Sequence, residues 1–142
     1  MRIFIGKKGH FCKGLPGASL VVFIKKILSA EKIKKSVNII FIDDSIMSGL
    51  NRRFRNKRKT TDVLSFPFDE KDFLGEIYIS VPMAQKQARD GGYCLELELK
   101  RLIAHGIFHL LGLKHKTRKE EEKMRKKESA YLPAFLFEAP AE

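Results

Sequence analysis

Apolar residues recur at two different spacings along this chain, and the changes of spacing mark its elements. Arg2 to Ile5 predicts a short strand, followed by a loop containing Gly, Lys and His residues up to Gly17. Leu20, Phe23, Ile24, Ile27 and Leu28 fall at helical intervals, so a helix should run from about Leu20 and end between Ser29 and Lys35. Val37 to Ile42 is an almost unbroken β-branched run, the pattern of a strand buried on both faces. Asp43, Asp44 or Ser45 can then cap a helix carrying Ile46, Met47, Leu50 and Phe54.

Thr61 to Phe66 reads as a strand stopped by Pro67, and Gly75 to Ser80 as another, with Asp69 to Asp72 as the turn between them. Val81 to Asp90 is a short helix closed by Gly91 and Gly92. A longer helix starts near Cys94 and carries Leu95, Leu99, Leu102, Ile103, Ile107 and Leu110 as far as Gly112. A charged helix from about Lys116 to Tyr131 follows, and the segment after Pro133 reads as a loose tail. Helices and strands are interspersed without repeat or linker, which places the chain as α/β or α+β around one mixed sheet.

Composition adds a bias of charge. The 142 residues fit one domain, and 44% hydrophobic with 32% charged residues allows both a core and a soluble surface. There are 28 Lys and Arg against 17 Asp and Glu, a formal net charge of +11. That excess favours a polyanionic partner, a nucleic acid or an anionic membrane surface, and says nothing of fold. No stretch approaches the ~20 apolar residues of a membrane span. The apolar run Ala18 to Ile24 makes a poor signal peptide, because Lys25 and Lys26 follow it and no small-residue cleavage pattern is present. Cys12 and Cys94 lie far apart and outside any CxxC pattern, so two reduced thiols in a cytoplasmic protein are the expectation.

The strongest chemical signal is His105, His109 and His115. Residues four apart on a helix differ by ~40° in direction and ~6 Å in rise, so His105 and His109 point the same way. Two imidazoles so placed can share one metal, with each nitrogen ~2.0–2.1 Å from a zinc. His115 would lie ~15 Å from His105 on a straight helix and must be brought back by a turn. Gly112 stands where that turn has to begin, and glycine enters the left-handed conformation without a Cβ penalty. A lone histidine on an apolar helix is usually a hydrogen-bonded core residue. Three of the chain's four histidines at this spacing, with a glycine at the break, point instead to a metal.

Three protein ligands leave zinc an open fourth position, the pattern of catalytic sites. Nickel, copper and iron also accept imidazole, so the identity of the metal stays open. His10 lies apart and reads as a loop residue without a role. Zinc peptidases of the HExxH type carry their general base directly after the first histidine, and Gly106 occupies that place. Glu98, two turns before His105, reads equally as a supporting carboxylate or as a salt-bridged one.

Arg52, Arg53, Arg55, Lys57, Arg58 and Lys59 form a dense basic run with Phe54 among them. Such runs are commonly solvated helix ends. In a chain this basic they also suit phosphate gripping by arginine and salt-sensitive attraction to a nucleic acid. Lys114 to Lys127 is interrupted by Glu120, Glu121 and Glu122, the pattern of i, i+4 pairing on an exposed helix.

Two segments together resemble the YbeY family of bacterial endoribonucleases. One runs from Leu50-Asn51 through Phe54-Arg55 and Thr61-Asp62-Val63-Leu64-Ser65-Phe66-Pro67 to Leu74-Gly75. The other is the histidine segment, followed by Met124 and Glu128. The resemblance implies an α+β fold over residues 1–142, a single domain with a small mixed sheet of about four strands packed with about five helices. It also implies a metzincin-like site in which His105, His109 and His115 ligate Zn2+. The implied activity is cleavage of single-stranded RNA in ribosomal RNA maturation and ribosome quality control, with ribosomal RNA and the ribosome or its small subunit as partners and no membrane. Arg55 matches the family's functionally important arginine, at the scissile phosphate. Lys114 stands where the family commonly has an aspartate before its third histidine, and Glu76 where an aspartate commonly follows the glycine. Two alternatives stand beside the nuclease: a non-catalytic RNA- or ribosome-binding assembly factor with a structural zinc, and a metallopeptidase-like hydrolase.

Overall fold

The computed structural model describes residues 2–55 and 61–138. Its elements are β1 (Ile3–Lys7), α1 (Gly17–Ala30), β2 (Ser36–Ile42), α2 (Asp44–Arg55), β3 (Val63–Pro67), β4 (Phe73–Ser80), α3 (Val81–Gly91), α4 (Leu95–Leu110) and α5 (Arg118–Ser129), then a 3-10 turn, Ala134–Phe137. The sheet runs β1-β2-β4-β3. β1, β2 and β4 are parallel, and β3 pairs antiparallel with β4 at the edge. The expected α+β architecture, a four-stranded mixed sheet with five helices among the described residues, is the one observed.

The pleat divides the sheet's side chains between two cores. Val37, Ile39, Phe41, Ile77 and Ile79 face the larger one, against α1 (Leu20, Phe23, Ile24, Ile27, Leu28) and α4 (Leu99, Leu102, Ile103, Ile107, Phe108). Ile40, Ile42 and Leu64 face the smaller one, which α2 covers through Met47. β2 is buried on both faces because both sides of this central strand are covered, as its unbroken apolar run predicts.

Local chemistry fixes the helix ends. The Asp43 carboxylate accepts from the backbone N–H of Ile46 at 2.9 Å and so caps α2, while its other oxygen holds the His10 N–H at 2.9 Å. Ser80 caps α3, and Gly92 closes that helix in the left-handed conformation at φ 75°. Thr117 and Glu120 form a reciprocal capping box at the start of α5. The expected loose tail lies partly outside the described residues. Of the described part, Leu136 and Phe137 in the 3-10 turn pack against the larger core.

Two glycines set the seat of α4. A Cβ on Gly106 would lie 2.8–3.1 Å from three side-chain carbons of Ile77, a fully buried residue of β4. A Cβ on Gly75 would strike the Phe66 carbonyl oxygen and come within 2.8 Å of Leu110. Helix α4 therefore lies close on the sheet at both points, and its histidine-bearing half is held against the β3 edge.

Candidate metal centre and its cleft

His105 and His109 stand one turn apart on α4, each half-buried, with ring centroids 4.6 Å apart. The helix ends at Leu110, and Gly112 takes up φ 97°. The Leu113 N–H then bonds the Phe108 carbonyl at 3.0 Å and the Gly112 N–H that of His109 at 3.0 Å, which turns the chain back on itself. The exposed His115 ring arrives 5.1 Å from His105 and 4.7 Å from His109. One nitrogen from each of the three rings lies within 4.8 Å of the others. The hinge expected at Gly112 is the one that brings them together.

These residues suit a metal. The Nε2 atoms of His105 and His109 are 3.1 Å apart, near the ~3.3 Å separating two ligands of a tetrahedral zinc with bonds of ~2.0–2.1 Å. On its other side, His105 Nδ1 donates to the Glu128 carboxylate at 2.7 Å. That bond holds the proton on Nδ1 and leaves the Nε2 lone pair facing its neighbours, the usual support of a metal-binding imidazole. Glu128, on α5, is only 4% exposed. Burial first, and then the adjacent His105 and His115 rings, push the His109 pKa down to about 4, so this ring is neutral and able to ligate at pH 7.

The three rings open on a cleft of about 430 Å³ whose far wall is β3 and the end of α2. Arg55, Asp62, Ser65, Lys114 and the histidines line it. The structure thus brings Arg55 to the same cavity as His105, His109 and His115. Arg52 and Arg53 are exposed on the last turn of α2 but do not line the cleft, and Lys57, Arg58 and Lys59 lie outside the described residues. Lys114 adds a cation to the cleft wall. Glu76 points to the opposite face of the sheet, so its departure from the family pattern does not touch the histidines.

Of the two readings of Glu98, the salt-bridged one holds. Its fully buried carboxylate accepts from Arg101 Nε and Nη2 at 2.7 and 2.8 Å and from the Tyr93 hydroxyl at 2.7 Å. The Glu98 pairing raises the Arg101 pKa further, and Glu98, after burial, helps push that of Tyr93 up to about 12. Gln87 and Arg101 also reach Asp62, at 3.3 and 3.8 Å, which ties the start of the cleft wall to α3 and α4. Sequence reading allowed the Glu98 salt bridge without naming its partners, and missed the support role of Glu128. The i, i+3 spacing of Glu98 and Arg101 was the available sign of the first. The second had only the place of Glu128 in the family pattern, because its partners are 23 residues apart.

A small α+β domain that presents three imidazoles from a helix and its following turn to an open cleft has the build of a hydrolase with a candidate metal centre. The chain belongs to the endoribonuclease YbeY family, whose model matches residues 17–135. It is 42% identical over 105 residues to the endoribonuclease YbeY of Acholeplasma laidlawii, covering 72% of this chain and 77% of that protein. It is 38% identical over 129 residues to that of a Sulfurihydrogenibium species, covering 87% and 84%. Among solved structures it resembles the solution structure of TM1509 from Thermotoga maritima, with TM-score 0.68 and 32% identity over 91% of this chain and 85% of the other.

Proposed function

We propose that this chain is a zinc-dependent endoribonuclease that cleaves single-stranded RNA in ribosomal RNA maturation and ribosome quality control. Family membership supports the hydrolase and nuclease part of this reading. The observation that carries the rest is one cleft lined by three convergent imidazoles and by Arg55. Ribosomal RNA and the small ribosomal subunit would be its partners, and the cytoplasm its compartment. Among the described residues no helix is long and apolar enough to cross a membrane.

His105, His109 and His115 would hold the metal, which when bound supplies Lewis acidity to a phosphoryl oxygen and lowers the pKa of water. The protein's own part is to prepare the ligands and the substrate. Glu128 fixes the His105 tautomer, and burial keeps His109 unprotonated. Arg55, which lines the same cleft, would grip the scissile phosphate bidentately and stabilise charge developing there. Asp62 is tied to Arg101 and Gln87, which holds the start of β3 against α3 and α4 at the cleft wall.

The alternatives fare worse. A structural zinc has its positions closed by protein, whereas His115 is exposed and the cluster opens on a cleft. The position of a peptidase's glutamate is Gly106, buried against Ile77 with no room for a side chain. Metal analysis of the purified protein, paired with cleavage of single-stranded ribosomal RNA with and without chelator, tests the proposal. About one zinc per chain is expected, with cleavage lost in chelator, in His109→Ala and in Arg55→Ala. Bound metal with metal-independent cleavage, or with none, would overturn it.

A further inference from the structure

Beyond the cleft, the opposite face of the sheet carries a second, smaller groove of about 280 Å³, lined by Leu50, Phe54, Phe66, Phe68, Glu76 and Tyr78. Its walls are aromatic. Phe54 meets Phe66 edge-on at 5.2 Å, and Phe66 meets Tyr78 at 5.7 Å. Phe54 is 56% exposed and Phe68 39% exposed. The Arg53 guanidinium lies 5.5 Å from the centre of the Phe54 ring. The Glu76 carboxylate faces the same groove and, among the described residues, takes long hydrogen bonds from the Asn38 amide at 3.5 Å and the Tyr78 hydroxyl at 3.3 Å. A carboxylate has room for about four such bonds.

This groove adjoins the cleft through neighbouring residues of two elements. On α2, Phe54 lines the groove and Arg55 the cleft; on β3, Phe66 lines the groove and Ser65 the cleft. A chain that threads the cleft can lay its next part over the edge of β3 into the groove. The exposed cations at that crossing, Arg52, Arg53 and Arg55, call for a polyanion. Exposed aromatic rings beside them call for flat bases, as in proteins that hold single-stranded RNA by stacking.

We infer that this groove is a nucleobase subsite, in which Phe54 and Phe68 stack an unpaired base of the RNA and Glu76 reads its Watson–Crick edge. Guanine is the base that fits. It offers two neighbouring N–H donors, N1–H and the N2 amino group, to the two oxygens of one carboxylate. Cytosine and adenine offer one amino group, and uracil a single N–H between two carbonyls that Glu76 repels. The subsite rests on the ribonuclease reading proposed above and adds to it a preference for guanine near the cut.

The test is a nuclear magnetic resonance titration of the zinc-loaded protein with cleavage-resistant 2′-O-methyl pentamers UUGUU, UUCUU, UUAUU and UUUUU. Signals of Phe54, Phe66, Phe68 and Glu76 should shift most strongly and at lowest concentration with UUGUU. Glu76→Gln should abolish that preference, weakening UUGUU while UUUUU, no longer repelled by a carboxylate, binds at least as well as to the wild type. Phe54→Leu, at an exposed position, should keep the fold and weaken UUGUU by about 5- to 150-fold, the value of one base–aromatic stack. Groove signals silent to all four pentamers while signals of the cleft move would overturn the subsite, return the groove to a protein partner and leave the nuclease intact. Equal affinity for the four would overturn the Glu76 readout. Silence of both groove and cleft would remove the ribonuclease reading itself.

Discussion

Glu128 is the carboxylate that holds His105 in the proposed metal centre, and removing it has a calculable effect. Its oxygen lies 2.7 Å from His105 Nδ1, in a site where the carboxylate is almost wholly buried. Loss of a carboxylate supporting a metal-bound histidine typically lowers metal affinity 10- to 100-fold, about 1.4–2.7 kcal/mol. Two variants separate the causes. Glu128→Gln can still accept from Nδ1–H through its carbonyl oxygen but brings no charge, so about tenfold is expected. Glu128→Ala leaves the Nδ1–H without its partner and frees the ring to turn or change tautomer, so the loss should approach 100-fold. Zinc affinity is measured by competition with a chelating dye, on variants whose circular dichroism matches the wild type. In parallel, 15N chemical shifts of the imidazole report which nitrogen carries the proton. Affinities within twofold of wild type in both variants, or a proton found on Nε2 in the metal-free wild type, would refute the reasoning.

Three other outcomes follow from the packing and charges. Gly106→Ala gains about 1 kcal/mol of helix propensity but forces a methyl group onto Ile77, where overpacking costs about 1–3 kcal/mol. Urea unfolding should therefore show a net loss, recovered in part by Ile77→Val; a variant more stable than wild type would contradict the close seating of α4. In Glu31, hydrogen bonds from Lys127 and Tyr131 lower the carboxyl pKa, so its stabilising effect is complete above the ordinary glutamate range and disappears as pH falls through the lowered value. Tyr131 is the mirror image: burial, then Glu31, raise its pKa to about 12, and its contribution is lost as pH rises through that value. In Glu31→Gln the ultraviolet titration of Tyr131 should move from about 12 toward 10, stopping short because burial remains; an unmoved midpoint would deny the contact. Neutralising Arg52 and Arg53 together should lower the slope of log affinity against log salt for single-stranded RNA by about 1–2, and an unchanged slope would place the RNA elsewhere.

Local signals in the sequence carried most of the fold. The five helices and four strands follow from apolar spacing, caps and glycines, because each is determined within a window of a few residues. The histidine triad was legible for the same reason, since an i, i+4 pair and a glycine hinge are local geometry. Partnerships across the chain were not legible. Nothing near Glu128 says that it meets His105, and nothing near Asp62 says that Arg101 and Gln87 hold it. The two faces of β3 and β4, one toward the histidines and one toward the aromatic groove, emerge only when the register of the strands is known. The basic run read as one unit in the sequence, yet of its described arginines the structure places Arg55 in the cleft, while Arg53 stacks on Phe54 and Arg52 lines neither cavity.

The clip between Glu31 and α5 has a consequence for when the centre can form. Lys127 and Tyr131 reach Glu31 across 96 and 100 residues, and between them stands Glu128, the partner of His105. Closing a loop of that length carries an entropic cost of about 4 kcal/mol on chain statistics alone, which must be met before the contact returns anything. Contacts of such high sequence separation slow folding, because chain entropy is lost before they return anything. During synthesis, the histidine helix emerges before α5, with its tautomer-fixing carboxylate still inside the ribosome. A centre built in this order gains the carboxylate that fixes its first imidazole only once residues 127–131 have docked on the end of α1.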